Sequence, residues 1–145
     1  MKKMLLASLL FCTFIFAADN SALDKVKILK SMTAAKAAKY LVDDMKPFLP
    51  LNVEPGDVIV DIKNDGTTLE YVHTLLNTIA FSISKMKEED YPLTGRLVKG
   101  VEVDKLCSNE SNRSLMEGGL VYKHTYFINS KKAFDYEVGI GDCRE

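Results

Sequence analysis

Residues 58–75 read VIVDIKNDGTTLEYVHTL, and this stretch decides the fold class. Apolar and polar side chains alternate on both sides of Asn64-Asp65-Gly66. An Asp-Gly pair between two alternating stretches is typical of a β-hairpin, because glycine accepts the positive φ that a tight turn requires. We therefore predict two antiparallel strands here, with the second strand extending through Phe81 to Ser84.

A second hairpin is predicted near the C-terminus. The stretch from Leu120 to Ile128 alternates, residues 129–132 suit a turn, and the alternation resumes at Phe134 and reaches Cys143. The two hairpins together predict an antiparallel sheet of about four strands.

Helical segments lie before and between the hairpins. The stretch from Ser21 to Lys46 has no glycine or proline and is rich in alanine and lysine, which predicts one helix. Residues 47–56 contain three prolines and predict an irregular surface connector, and residues 85–92 predict a charged loop.

Residues 93–107 predict a second main helix, and residues 112–117 predict a short helix capped by Ser111. The predicted buried face of the second main helix consists of Leu97, Val98, Val101 and Leu106. Antiparallel hairpins with helices on one face predict an α+β domain.

The N-terminus has the order of a signal peptide. Lys2 and Lys3 precede an apolar run from Met4 to Phe16, and two small residues follow. We predict cleavage after Ala17, with Ala18 as the alternative site and an uncleaved anchor as the other interpretation. The result is a single α+β domain over residues 18–145 that is periplasmic or secreted, with no stable membrane span after cleavage.

Cysteine positions fit this exported location. Cys12 would be discarded with the signal, and the bulky Phe11 before it disfavours attachment of a lipid. Cys107 and Cys143 remain, and an even count in an exported chain predicts one disulfide, with free thiols or a metal pair as alternatives. The charge is balanced, with 19 basic and 20 acidic residues, so a nucleic-acid partner is not expected.

Two histidines, His73 and His124, are the principal candidates for chemistry, and both lie in predicted strands. If the strand faces coincide, they form an aromatic and histidine surface on the sheet with Tyr71, Tyr122 and Tyr126. We expect a packing role, because no third ligand or nucleophile stands at a diagnostic spacing. The sequence predicts no catalytic residue, metal site or cofactor.

A resemblance covers roughly residues 57–143. Its features are the hairpin, Leu106-Cys107, Arg113, Leu115-Met116, Gly118-Gly119, Tyr122, Tyr126 and Asp142-Cys143. These resemble a family of small exported disulfide-containing bacterial proteins and are similar to the α/β-type pilotins of type II secretion, which escort the outer-membrane secretin. The resemblance implies a periplasmic interaction module closed by Cys107–Cys143. Pilotins of that kind are lipoproteins, and Cys12 departs from that pattern.

Three functions compete at this level. The first is a non-catalytic accessory or binding protein of the envelope, acting through contacts with an envelope or secretion-system protein. The second is a small periplasmic inhibitor or exclusion factor. The third is a hydrolase that uses His73 and His124.

The predicted signal peptide has a direct test in the mass of the exported protein. Cleavage after Ala17 gives a mature chain that starts at Ala18, and cleavage one residue later gives a start at Asp19. Intact-mass spectrometry of protein from the producing cells distinguishes these. A mass that includes Met1, or a diacylglyceryl group on Cys12, would contradict the prediction.

Overall fold

The computed structural model describes residues 20–78 and 83–143. The predicted signal peptide, residues 1–17 with Cys12, lies outside the described residues. The described part contains four α-helices and five β-strands: α1 Asn20–Lys30, α2 Ala34–Met45, β1 Leu51–Glu54, β2 Asp57–Asp65, β3 Thr68–Leu75, α3 Tyr91–Ser108, α4 Glu110–Glu117, β4 Val121–Ile128 and β5 Lys131–Val138.

The strands form one sheet in the order of the chain, β1-β2-β3-β4-β5. Neighbouring strands are antiparallel except β3 and β4, which are parallel. Parallel neighbours need a long crossover, and α3 and α4 supply it. The predicted α+β fold with two hairpins is confirmed, and it differs in having a fifth strand and one parallel pair.

The predicted single helix from Ser21 to Lys46 is two helices. The Ser31 hydroxyl donates a hydrogen bond to the carbonyl oxygen of Ile28, 2.7 Å away, and Thr33 Oγ1 accepts one from the Lys36 amide at 3.4 Å. Serine and threonine compete in this way with the helical hydrogen bonds of the main chain. Thr33 is therefore the N-cap of α2, and the uninterrupted Ala/Lys pattern concealed the break.

The predicted irregular connector contains the edge strand β1. Pro55 and Gly56 form a two-residue turn, and Gly56 has a φ of 89° that favours glycine. Leu51 then lies opposite Ile59 and Asn52 opposite Val58 in an antiparallel pair. The strand is only four residues long, too short for its alternation to stand out among the prolines.

The remaining boundaries differ by a few residues. Strand β3 ends at Leu75, and 3₁₀ turns occupy Ile83–Lys85 and Glu88–Asp90, while residues 79–82 of the predicted strand extension lie outside the described residues. Asn109, rather than Ser111, caps α4 by accepting a hydrogen bond from the Asn112 amide at 3.0 Å. Strand β5 ends at Val138, and a 3₁₀ turn, Ile140–Asp142, leads to Cys143.

The core lies between the sheet and helices that pack on one of its faces. Helix α2 lies over β2 and β3, and α3 lies over β5. The inner side of α2 is Ala37, Ala38, Leu41, Val42 and Met45. No helix within the described ranges is long and apolar enough to span a bilayer.

The disulfide Cys107–Cys143 is present, with the two Cα atoms 5.4 Å apart. It joins the last turn of α3 to the segment after the edge strand β5. The ammonium of Lys99, also on α3, lies 2.8 Å from the carboxylate of Asp142 at the same junction. The bond therefore ties the crossover helix to the C-terminal end of the sheet.

Loss of this disulfide should destabilise the domain. Cys107→Ser should lower the free energy of unfolding by roughly 2–5 kcal/mol, because the unfolded chain regains the freedom that the loop closure removed. Denaturant titration measures this loss. The Cys107→Ser, Cys143→Ser double variant should match either single variant, and two free thiols in denatured native protein would contradict the bond.

Candidate functional site

The five predicted face residues share one side of the sheet. The parallel register places Tyr71 opposite His124 and His73 opposite Tyr126, while Tyr122 lies opposite Leu69. Helices cover this side, and all but Tyr71 are buried: the exposed fractions are 3% for His73 and 8% for His124. The predicted coincidence of the two strand faces therefore occurs, but the face is an interior layer and not an open binding surface.

The two histidines are part of a hydrogen-bonded chain. His73 Nδ1 lies 2.8 Å from Asp57 Oδ1, and His73 Nε2 lies 3.0 Å from His124 Nδ1. The other ring nitrogen of His124 faces Glu102 Oε1 at 3.9 Å. That nitrogen is buried and has no hydrogen-bond partner among the described residues.

Each of these four groups comes from a different element. Asp57 begins β2, two residues before Ile59, which pairs with His73 of β3. Side chains two apart on a strand point to the same face, so the Asp57 carboxylate reaches His73. His124 comes from β4, and Glu102 reaches the chain from α3. Asp57 and Glu102 carried no recognisable motif in the sequence, because only tertiary packing brings them to the histidines.

Aromatic rings enclose the histidine pair. His73 stacks on Tyr126 with ring centroids 4.2 Å apart, and His124 lies 5.1 Å from both Tyr71 and Tyr136. The hydroxyls of Tyr126 and Tyr136 are 3.4 Å apart. These rings keep water away from the histidines, so any charge there must be balanced by a neighbouring group.

Tyr122 is separate from the histidine chain. Its hydroxyl donates a hydrogen bond to Asn112 Oδ1 at 3.1 Å, which ties β4 to α4. Both residues are buried. We assign Tyr122 a structural role in seating the short helix.

Burial sets the charge states within this site. Burial lowers the pKa of His124 well below its ordinary value, and the nearby His73 and Lys105 lower it further. Burial also raises the pKa of Glu102, against the opposing effect of Lys105, whose ammonium is 3.8 Å away. The pKa values of Tyr126 and Tyr136 are raised as well, chiefly by burial. The environment therefore favours the neutral forms of His124 and Glu102, at the end of the hydrogen-bonded chain that lies under α3.

The geometry does not suit a metal ion. Both ring nitrogens of His73 already have partners, which leaves His124 Nε2 and Glu102 as donors. No group of three or more ligating side chains that could hold a metal occurs in residues 20–78 and 83–143. A stable transition-metal site usually needs three or four protein ligands.

The outer face of α3 carries a line of exposed apolar side chains. Leu93, Leu97 and Val101 recur every fourth residue and are all exposed. The predicted buried face is wrong at Leu97 and Val101, while Leu106 is buried and Val98 partly so. Side chains four apart share one side of a helix, so the three form a continuous apolar line.

The inner face of α3 explains this reversal. Gly95 lies so close to Phe134 that an added Cβ would be 3.2 Å from its ring. Glu102 also points inward, to the histidine chain, and Leu106 completes the inner side. A glycine and an acid on the buried side made the apolar pattern indicate the wrong face.

Comparison with known proteins gives a likeness in structure. No protein-family model and no curated protein sequence matches the chain. A crystal structure of a candidate secreted protein from Pseudomonas aeruginosa is similar, with a TM-score of 0.62 and 16% identity over 80% of this chain and 97% of that one.

Two pilotins of type II secretion systems are also similar. EpsS from Vibrio vulnificus has a TM-score of 0.55 and 19% identity over 84% of this chain and 97% of its own. AspS from Vibrio cholerae has a TM-score of 0.54 and 18% identity over 85% of this chain and 99% of its own. The chain has the fold of these proteins. The resemblance indicated by the sequence is thereby confirmed at the level of fold.

The buried His124 should make the protein less stable in acid. In the unfolded chain this residue binds a proton as the pH falls through about 6.5. In the folded state its pKa is lower, so it stays neutral until the pH is lower. The free energy of unfolding should therefore fall as the pH drops below about 6.5, by up to about 1.4 kcal/mol per pH unit. Denaturant titration at a series of pH values measures the slope.

Glu102 acts with the opposite sign, because its raised pKa favours the folded state in acid and the benefit is lost as the pH rises. A variant at His124 therefore separates its contribution to the pH dependence of stability from that of Glu102. His124→Phe keeps an aromatic ring beside Tyr71 and Tyr136 and should be less sensitive to pH between 6.5 and 5. Tyr122→Phe, on the same strand, should keep the slope of the native protein. An unchanged slope in His124→Phe would disprove the assignment.

Proposed function

We propose that the chain is an exported accessory protein of the bacterial envelope that binds a component of a secretion system and catalyses no reaction. On this proposal residues 1–17 are a signal peptide, and residues 18–145 act in the periplasm. The observation that carries the proposal is the exposed apolar line of α3, Leu93, Leu97 and Val101.

Helix α3 has its apolar side chains on the outside and an acid, Glu102, on the inside, which is the reverse of the usual arrangement. Contiguous exposed apolar surface commonly marks a binding site for a protein. A line with a spacing of four residues suits the apolar side of a partner helix, which packs its own side chains between those of α3. We infer that the partner presents an amphipathic helix to this face.

The fold supports a secretion-system partner for this surface. Two of the similar structures are pilotins of type II secretion systems. The disulfide Cys107–Cys143 suits an oxidising compartment such as the periplasm. Phe11 before Cys12 disfavours lipidation, so the proposed accessory protein is soluble after cleavage.

The burial of the histidines supports a non-catalytic role. A hydrolase would need one of them to reach a substrate, and both rings are buried beneath α3 and the tyrosines. The polar groups that face their ring nitrogens are the carboxylates of Asp57 and Glu102 and the nitrogens of the histidines themselves. This arrangement favours a structural function for the pair.

A charge placed on the apolar line should abolish partner binding. Leu97→Glu replaces a side chain that is 64% exposed, so it should leave the fold intact but put a carboxylate into the contact. Phe48→Glu is the matched control, because Phe48 is 67% exposed and follows α2. Affinity purification from detergent-solubilised envelopes of the producing cells, followed by mass spectrometry, identifies what each variant retains.

We expect the native protein and Phe48→Glu to retain a subunit of an envelope secretion complex, and Leu97→Glu to lose it. Loss in both variants, or in neither, would contradict the assignment of the surface. Retention of one soluble periplasmic enzyme instead would support an inhibitor and overturn the proposed accessory role.

A further inference from the structure

The buried chain Asp57–His73–His124–Glu102 has three contacts, and one hydrogen in each would join all four groups by hydrogen bonds. The contacts are Asp57 to His73, His73 to His124, and His124 to Glu102. A neutral imidazole carries one N–H, so two neutral rings supply two hydrogens. With both acids ionised, there are two hydrogens for three contacts. One contact then has no hydrogen, and two lone pairs face each other across it.

One additional proton completes the chain. If it resides on Glu102, the carboxyl O–H donates to His124 Nε2, His124 Nδ1–H donates to His73 Nε2, and His73 Nδ1–H donates to Asp57. If the hydrogens shift along the chain, Glu102 becomes a carboxylate and His73 a cation beside the Asp57 carboxylate, with the same number of protons. Both arrangements satisfy all four ring nitrogens.

A second additional proton on the rings would undo this. With both rings cationic, the N–H groups of His73 and His124 would point at each other across 3.0 Å. The chain is thus best satisfied by one additional proton. We propose that Glu102 and the histidine pair share this proton and that it latches helix α3 to the sheet, independently of the identity of any partner.

The latch spans the interface between α3 and the sheet. Glu102 belongs to α3, while the other three groups belong to β2, β3 and β4. The 3.9 Å separation of Glu102 Oε1 from His124 Nε2 needs to shorten by about 1 Å to form a hydrogen bond. The two shorter contacts, 2.8 and 3.0 Å, are already hydrogen bonds and keep one hydrogen each, so loss of the additional proton leaves the Glu102 carboxylate facing a lone pair of His124. Glu102 then loses its attachment to the sheet.

The surrounding groups fit a shared proton. Lys105, on α3, lies 3.8 Å from Glu102 and is the cation nearest to that carboxyl among the described ion pairs. Tyr71 and Tyr126 stack on the rings from β3 and β4, and Tyr136 does so from β5. Burial raises the pKa of Glu102, which favours the arrangement with the proton on the acid.

Solvent reaches the network from both ends. The Asp57 side chain retains a 20% exposed fraction and the Glu102 side chain 15%, whereas His73 between them retains 3%. The network is therefore a short path between two acids that can exchange a proton with water, one at the start of β2 and one on the underside of α3.

The test follows amide hydrogen exchange of α3 in the intact protein across pH 5 to 9, expressed as protection relative to the intrinsic rate at each pH. Protection of the amides near Glu102 should fall by up to about tenfold per pH unit once the proton dissociates. In parallel, ¹⁵N spectra of the two histidine rings report the tautomers, and the four nitrogen signals should shift together in one step.

Glu102→Gln is the informative variant. Its amide N–H donates permanently to His124 Nε2 and carries no titrating proton, so α3 protection should be independent of pH and His124 should stay in the Nδ1–H form. Asp104→Asn removes an exposed carboxylate from the same helix and should behave like the native protein.

Three results would overturn the proposal. The first is α3 protection in the native protein that does not change with pH. The second is an unchanged pH response in Glu102→Gln. The third is separate titration of the two rings, with both becoming cations. Because none of these measurements involves a partner, they are distinct from failure of the proposed envelope function.

Discussion

The parallel pairing of β3 with β4 is the constraint on which the rest of the structure depends. It joins two hairpins into one sheet and obliges the chain to cross from the end of β3 to the start of β4. Helices α3 and α4 make that crossing, so they cover the face on which His73 and His124 lie. A slip of one residue in this register would turn His124 to the opposite face, because side chains alternate along a strand. The buried histidine pair is therefore a product of the crossover topology.

Helix α3 is apolar on the side away from the core. A typical surface helix places its apolar stripe inward, because burial of that stripe stabilises the domain. Here the inner side uses Gly95 for close approach to Phe134 and Glu102 for the histidine chain, and leaves Leu97 in solvent. The isolated domain gains nothing from an exposed leucine, which is why the proposed function assigns the contact with a partner to this line.

The sequence predicted the elements that depend on interactions between residues close in the chain, and it missed those that depend on distant residues or on a single cap. Asp65-Gly66 determines a turn within a few residues, and the hairpin around it formed as expected. The break at Thr33 depends on a single side-chain cap, and β1 depends on pairing with β2, so neither was visible as periodicity. The histidine chain needs residues 57, 73, 102 and 124 from four elements. The sequence placed both histidines in strands whose faces could coincide, but no local rule joins them to two distant acids.

Two of the attachments that hold α3 to the rest of the domain differ in kind. The Cys107–Cys143 bond fixes the C-terminal end of the helix at any pH, whereas a contact of Glu102 with His124 requires a proton. Glu102 follows Val101 directly, so the inner acid and the outer apolar line belong to the same rigid turns. Because Glu102, Leu97 and Val101 share one helix, we expect a change in the position of Glu102 to move the outer apolar line with it. The chemistry of the interior and the shape of the proposed binding surface are thus coupled through a single helix.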